Sequence, residues 1–301
     1  MSINSNRCSW LIALCGLCLI TLSALGDDRS ITPQKSNDGA KYSEDGTILL
    51  GCPKDVKSFT IPSSVTKIGE KAFARCGSLE SITIPSSVTK IGSQAFYGCD
   101  SLASITIPSS VTEIGEEAFS VCDSLASITI PPSVTKIGRM AFSGCGSVAS
   151  ITIPSSVTEI GEGAFAGCGA LESITIPSSV TEIGEGAFGG CGSLASIEAA
   201  SDNTKYCSID GVLYSKDRKV LVICPGGRTS LTIPSSVTKI GESAFVRCGA
   251  LESITIPSSV TEIWPGAFNG CPKLTLIAER GATAWKYAEK NKIPVREPEE
   301  Q

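Results

Sequence analysis

The sequence predicts a mainly-β repeat solenoid with short 3₁₀ or helical turns and a cap at each end. Three observations carry that expectation. A 23-residue phrase running from Ile61 to Thr83 recurs from Ile84, Ile107, Ile130, Ile153 and Ile176, and again from Ile233 and Ile256. A strict period in this range marks a stacked array in which each unit contacts chiefly its neighbours. Inside each unit the apolar residues first alternate, as in a strand, then crowd together, as in a tight turn. Finally, segments outside the repeat flank it and have the character of caps.

Taken in chain order, residues 1–26 read as a signal peptide, with Arg7 as the basic start, Trp10 to Leu25 as the apolar stretch and Ala24-Leu25-Gly26 before Asp27. That stretch is short for the ~20 residues that cross a bilayer. The mature chain is therefore expected to be exported and to have no membrane span. Residues 27–40 are polar and aperiodic and read as a flexible lead-in. Residues 41–60 contain Tyr42-Ser43-Glu44-Asp45-Gly46-Thr47-Ile48-Leu49-Leu50, which reads as a capping hairpin turning near Asp45-Gly46. Repeats one to six follow over 61–198, an inserted unit over 199–232, and repeats seven and eight over 233–278. The closing segment, 279–301, carries Trp285, Tyr287 and Ala288 among charges from Ala282 to Lys292. It reads as a short amphipathic helix ended by Ile293-Pro294, followed by a solvated tail.

The copy from Leu79 to Cys99 shows how one unit builds a coil. Leu79-x-x-Ile82-x-Ile84 has the spacing of a short strand with apolar residues inward and Ser81 and Thr83 outward. Pro85 lacks the amide that would continue a ladder. Val88-x-x-Ile91 is expected as a second, shorter extended piece with Lys90 outward, and Gly92 permits a tight bend. Ala95-Phe96-x-x-Cys99 is expected as a short 3₁₀ or α segment.

The insertion repeats the chain's own beginning. Tyr214-Ser215-Lys216-Asp217-Arg218-Lys219-Val220-Leu221-Val222-Ile223-Cys224-Pro225 matches the front hairpin 172 residues earlier, and Ser230-Leu231-Thr232-Ile233 matches Ser58-Phe59-Thr60-Ile61. Two readings are open. The unit is a folding and capping device, or it is a protruding loop that shapes a ligand site through Tyr214, Lys216 and Arg218.

Composition excludes several function classes. The 25 basic and 30 acidic residues give a net charge of −5 with no block of one sign, so the stripe that neutralises phosphates is missing and no nucleic-acid partner is expected. Histidine is absent, which removes the commonest general base and metal ligand. No cofactor, metal or catalytic residue is expected. Gly184-Glu185-Gly186-Ala187-Phe188-Gly189 satisfies a dinucleotide-binding pattern, but it lies in register inside the repeat and lacks a βαβ context. Ser64-Val65-Thr66-Lys67 matches the Ser-x-x-Lys of serine acylases and recurs with the repeat at Ser87, Ser133 and Ser236. Cys76, Cys99, Cys122, Cys145, Cys168, Cys191, Cys248 and Cys271 share one repeat position, which reads as a ladder of buried thiols acting as small hydrophobes. Removing the signal leaves 11 cysteines, an odd number that prevents complete intrachain pairing.

The pattern Leu-x-x-Ile-x-Ile-Pro-x-x-Val-x-x-Ile-Gly-x-x-Ala-Phe-x-x-Cys resembles the unit of the BspA-like leucine-rich-repeat family, over about Tyr42 to Val295. The resemblance implies a curved, right-handed leucine-rich-repeat solenoid, secreted or surface-exposed, several of whose relatives bind host or matrix proteins. It supplies no shared catalytic residues.

The candidate binding surface is the hydroxyl row expected on the concave face: Ser81, Thr83, Ser104, Thr106, Ser127, Thr129, Ser150, Thr152, Ser173, Thr175, Ser253 and Thr255. The position that follows the next threonine of each unit alternates in charge through Lys67, Lys90, Glu113, Lys136, Glu159, Glu182, Lys239 and Glu262, and reads as a solvated face. The functional expectation is a secreted or cell-surface, non-enzymatic, adhesin-like binding protein whose partner is an extracellular protein or glycan. The alternative is a structural component of an envelope or extracellular assembly that self-associates.

Overall fold

A computed structural model describes residues 34–35, 39–53 and 55–299. The expected signal peptide and the start of the lead-in lie outside them. The chain folds as a mainly-β solenoid of about 11 turns with one short helix at its C-terminal end.

Three columns of backbone hydrogen bonds hold each coil to the next. The first was expected as the minor one. The two-residue strands Lys67–Ile68, Lys90–Ile91, Glu113–Ile114, Lys136–Ile137, Glu159–Ile160 and Glu182–Ile183 pair in parallel register and belong to a continuous nine-stranded sheet. Bonds beyond the strand ends, such as Thr89 N–H to the Thr66 carbonyl at 2.9 Å and Gly92 N–H to the Ile68 carbonyl at 2.9 Å, lengthen it. The second column is the Ser-Ile-Thr row, expected as the principal strand. Before the insertion it breaks into pairs, Ser58–Thr60 with Ser81–Thr83, Ser104–Thr106 with Ser127–Thr129, and Ser173–Ile176 with Ser196–Ala199; after it, Ser230–Thr232, Ser253–Thr255 and Thr275–Ile277 pair in one sheet. Ser150–Thr152 keeps the same exposed–buried–exposed alternation without strand pairing.

The third column corrects the sequence reading. The segment expected as a 3₁₀ or α turn is a string of β-turns whose alternate amides donate to the next coil. Gln94 N–H reaches the Glu116 carbonyl at 2.8 Å, Phe96 N–H that of Ala118 at 2.7 Å, and Gly98 N–H that of Ser120 at 2.9 Å. A helix would satisfy these groups within one coil. The turns satisfy them equally well while bonding two coils together, so the stacked form prevails over local preference. The geometry places Gln94 at φ 55° and Gly98 at φ 66°, and equivalent residues of other copies are also left-handed.

The core follows from this stacking. Neighbouring strands lie ~4.8 Å apart, so residues at one repeat position stack directly. Phe73, Phe96, Phe119, Phe142, Phe165 and Phe188 form a column with ring centroids 5.0–5.5 Å apart and planes within 2–8° of parallel. Buried valines, isoleucines, alanines and leucines form parallel columns around it. Glycine follows the isoleucine of this column in every coil but the last, where Trp264 follows Ile263, because the coils touch there: a Cβ on Gly92 would lie 2.8 Å from the Gly69 carbonyl carbon.

Both ends are covered. Lys41–Tyr42 pairs antiparallel with Ile48–Gly51, forming the expected hairpin. The lead-in, expected as wholly flexible, contributes the strand Gln34–Lys35 beside it. Cys76 does not continue the thiol ladder; it is disulfide-bonded to Cys52 and fastens the hairpin to the first coil. At the other end the helix Thr283–Asn291 buries Ala284 and Ala288, and Tyr287 meets Phe268 edge-on at 5.7 Å, which closes a second, shorter stack of Phe245 on Phe268. Val295–Arg296 then runs parallel to Thr275–Ile277, a strand that the sequence reading did not anticipate, and covers that sheet edge.

The insertion divides the core. Tyr206–Ile209, Val212–Ser215 and Val220–Ile223 form an antiparallel run that starts a second sheet, continued by Lys239–Ile240 and Glu262–Ile263. Successive side chains of Val212–Ser215 point to opposite faces. Leu213 packs into the first hydrophobic core, while Val212 and Tyr214 pack into the second. The unit is an internal partition as well as the seed of the second block, not a loop projecting from the array.

Candidate binding surface

Along the Ser-Ile-Thr row each isoleucine turns inward and the flanking hydroxyls turn outward, because the pleat alternates. Ser81, Thr83, Ser104, Thr106, Ser127, Thr129, Ser150, Thr152, Ser173 and Thr175 are exposed, and Ser253 and Thr255 are half-buried. Parallel pairing sets Ser104 beside Ser127 and Thr106 beside Thr129, so the hydroxyls recur once per coil. Among the described residues none of these twelve hydroxyls takes an intramolecular hydrogen-bond partner.

The other serines of the repeat behave differently. In the Pro-Ser-Ser-Val turns the Oγ of Ser87 donates to the Val65 carbonyl at 2.7 Å, that of Ser110 to Val88 at 2.6 Å and that of Ser156 to Val134 at 2.6 Å. Those hydroxyls tie coil to coil. The outer row keeps its donors and acceptors for solvent or a ligand.

The charged column lies on the nine-stranded sheet and continues on the second sheet beyond the insertion. Lys90 meets Glu113 at 2.7 Å, Lys136 meets Glu159 at 2.6 Å and Lys239 meets Glu262 at 2.7 Å. Arg139 adds contacts to Glu116 at 2.6 Å and Glu162 at 3.4 Å. The Glu159 carboxylate beside Lys136 holds its ammonium above the ordinary lysine range. These exposed pairs neutralise one another in water and add little to stability.

The inserted unit separates its three candidate residues. Tyr214 is 1% exposed and belongs to the core, so it is out of a ligand's reach. Burial pushes its phenol up to about 12. Lys216 and Arg218 are exposed on the connecting turn. That turn is organised for its own sake: Asp217 Oδ1 accepts from Ser215 Oγ at 2.6 Å and from Lys219 N–H at 3.0 Å, which lowers its carboxyl below the usual range. Lys216 Nζ donates to the Ser201 carbonyl at 3.2 Å.

A feature that sequence reasoning missed lies where the two blocks meet. A cavity of about 190 Å³ is lined by Ile183, Glu185, Val220, Val222, Glu242 and Val246, among others. Desolvation and then the neighbouring Glu242 raise the Glu185 carboxyl. The signal was present in the repeat, since both glutamates follow the coil glycine on either side of the insertion. At this size the cavity is below the ~300–1,000 Å³ of ordinary small-molecule pockets.

Chemistry-like motifs resolve into packing. Gly186 sits at φ 59° and Gly189 lies against the Val246 side chain, both within the turn column. The ladder thiols of Cys99, Cys122, Cys145, Cys168, Cys191 and Cys271 each donate to a phenylalanine carbonyl at 3.0–3.3 Å. Burial pushes Cys191 up to about 12, the opposite of nucleophilic activation. Among the described residues no group of three or more His, Cys, Asp or Glu could hold a metal, and no helix is long and apolar enough to cross a membrane.

Comparison with known proteins agrees with this architecture. The BspA type leucine rich repeat region matches in six copies over residues 51–168, 122–210 and 227–281. The comparison with curated proteins yields no match. A leucine rich cell surface protein of Faecalibacterium prausnitzii is 34% identical, with 82% of this chain and 76% of that chain covered and a TM-score of 0.64. A leucine-rich repeat protein of Eubacterium ventriosum is 25% identical over 82% of this chain and 72% of that one, with a TM-score of 0.55. The pneumococcal vaccine antigen PcpA shares the fold at 24% identity, 82% of each chain and a TM-score of 0.58. The matched repeats span well over half of the sequence and coincide with the observed coils, and the chain belongs to the BspA-type leucine-rich-repeat family.

Proposed function

We propose that this chain is a secreted or cell-surface, non-enzymatic binding protein that presents its outer Ser/Thr row to an extracellular protein or glycan. The observation that carries the reading is the row of hydroxyls, repeated once per coil, that have no hydrogen-bond partner among the described residues. The likeness to a cell surface protein of Faecalibacterium prausnitzii supports the location. A neutral hydroxyl contributes ~1 kcal/mol net per hydrogen bond, and the row has no large aromatic anchor. Affinity would therefore build from many equivalent contacts, which favours a repetitive or multivalent partner.

The test is a glycan array and a matrix-protein pull-down with the purified chain, each repeated with Thr106→Lys/Thr129→Lys. The binding partner found should lose at least tenfold in affinity for the double variant. The variant Lys90→Ser/Lys136→Ser, on the charged column, should retain it. Empty results from both screens would refute the reading. Concentration-dependent self-association without a foreign ligand would favour a structural assembly instead.

A further inference from the structure

We propose that Cys224 and Cys248 form a second disulfide that fastens the internal partition to the first coil of the second block. The Cys52–Cys76 disulfide joins cysteines 24 apart in sequence, one at the end of the capping hairpin and one in the coil behind it. The 172-residue offset that relates the two hairpins carries Cys52 onto Cys224 and Cys76 onto Cys248. The backbone around both pairs is the same. Cys52 N–H donates to the Ala72 carbonyl at 2.7 Å, and Cys224 N–H donates to the Ala244 carbonyl at 2.8 Å. Gly69 N–H bonds Leu49 at 2.8 Å, and Gly241 N–H bonds Leu221 at 2.9 Å.

Cys248 also differs from the ladder thiols. Each of those donates to the phenylalanine carbonyl of the preceding coil at 3.0–3.3 Å. Behind Cys248 the preceding unit is the hairpin, which supplies no phenylalanine there. Its sulfur lies 3.8 Å from the Cys224 carbonyl, that of Cys224 lies 3.6 Å from the Pro225 carbonyl, and both are free thiols in this structure. Cys99 and Cys122, also neighbours in adjacent coils, both keep phenylalanine acceptors at 3.1 Å. Among the described cysteines, Cys224 and Cys248 are the pair that reproduces the surroundings of the existing disulfide.

Both sulfurs are buried, so oxidation accompanies folding, before the partition docks. The oxidant is a disulfide-exchange donor, either an oxidised dithiol protein or glutathione disulfide. One cysteine thiolate attacks the donor disulfide and releases the first donor thiol. The second thiolate attacks the mixed disulfide and releases the other. Two S–H bonds of the chain and one S–S bond of the donor are lost. One S–S bond of the chain and two S–H bonds of the donor form, and two electrons pass to the donor.

The test refolds the full chain in glutathione buffers of increasing oxidising strength until Cys52–Cys76 is completely linked. Free thiols are then alkylated in denaturant, and the chain is cleaved after Arg and Glu without reduction. Cleavage at Glu252 and Glu262 separates Cys248 from Cys271. The expected product is a Cys224–Cys248 linked peptide, lighter by two hydrogens than its parts and present in the same digest as linked Cys52–Cys76. Cys224→Ser should leave Cys248 alkylated and Cys52–Cys76 intact. Alkylation of both Cys224 and Cys248 when Cys52–Cys76 is linked overturns the proposal. So does pairing of either with a ladder cysteine, or failure of Cys52–Cys76 to link at any ratio, because that pair is the template.

Discussion

Replacing Asn203 by valine would restore the repeat's own residue at a core position, yet it should destabilise the junction between the blocks. Asn203 stands where Val180 stands one coil earlier and is 0% exposed. Its Nδ2 donates to the Pro177 and Val180 carbonyls at 2.7 and 3.1 Å, and its Oδ1 accepts from the Lys205 and Tyr206 amides at 2.8 Å each. Four bonds at ~1 kcal/mol net make Asn203→Ala cost about 4 kcal/mol. Burying a valine side chain returns ~1.5–2 kcal/mol, so Asn203→Val should cost about 2 kcal/mol. That is roughly a thirtyfold change in local opening, at ~1.4 kcal/mol per tenfold. Hydrogen exchange of the Lys205 and Tyr206 amides, read with the urea midpoint, measures it. Asn203→Asp keeps the acceptors but sets a carboxylate against two carbonyls, and acidification should restore part of its loss. If the valine variant exchanged at the original rate or unfolded at higher urea, the packing of the valine column would outweigh the hydrogen bonds and the reasoning would fail.

Val121 is β-branched, 38% exposed and left-handed at φ 58°, where Gly98, Gly144, Gly167, Gly190 and Gly270 fill the equivalent position. The left-handed penalty of ~1–2 kcal/mol exceeds the ~0.5–1 kcal/mol entropic cost of glycine, so Val121→Gly should raise the melting temperature; a decrease would contradict this. Gly226→Ala would set a Cβ 2.6 Å from the Cys191 carbonyl oxygen and should cost ~1–3 kcal/mol, read as a lower urea midpoint; Gly249→Ala, with open space, should be neutral. Glu185 is raised by desolvation and by Glu242, so its contribution is full at low pH and is lost as pH rises through its folded pKa. Glu242→Gln should therefore raise thermal stability at neutral pH but not in acid, and the gain should fade in high salt. Burial raises Tyr214 from 10.0 to about 12, so its contribution is full below pH 10 and is lost between about 10 and 12. Tyr214→Phe should remove that alkaline step from the pH–stability profile.

The coil, its apolar columns and both caps were legible because they depend on period and on side-chain character. What the sequence hid depends on where backbone groups find partners. Ala95-Phe96-x-x-Cys99 has helical spacing, yet its amides bond the next coil, an alternative that a single repeat cannot display. Gln34–Lys35 is too short to show a period, and only its pairing with Lys41–Tyr42 makes it a strand. Asn203 lies in the inserted unit, outside the repeat phrase, and only its stacking beneath Val180 places it in the valine column. The hydroxyl row was readable as a surface from the alternation around Ile82 and its copies. The Glu185–Glu242 approach was not, because it needs the insertion to fold aside. Tyr214 was a candidate ligand contact only if the insertion protruded; it lies in the core, as its counterpart Tyr42 does in the front hairpin.

The partition strand Val212–Ser215 also shapes how the array comes apart. A solenoid of identical coils peels from an end, one coil following another. Here peeling from the C-terminal end uncovers Val212 and Tyr214 while Leu213 is still held by the first block, so it arrests at that strand. Pulled from its two ends, the chain should lengthen in two distinct ruptures rather than a smooth series. A molecule tethered at one end could then lose its outer block under load and recover it on relaxation, keeping the inner block as the footing on which the rest rebuilds.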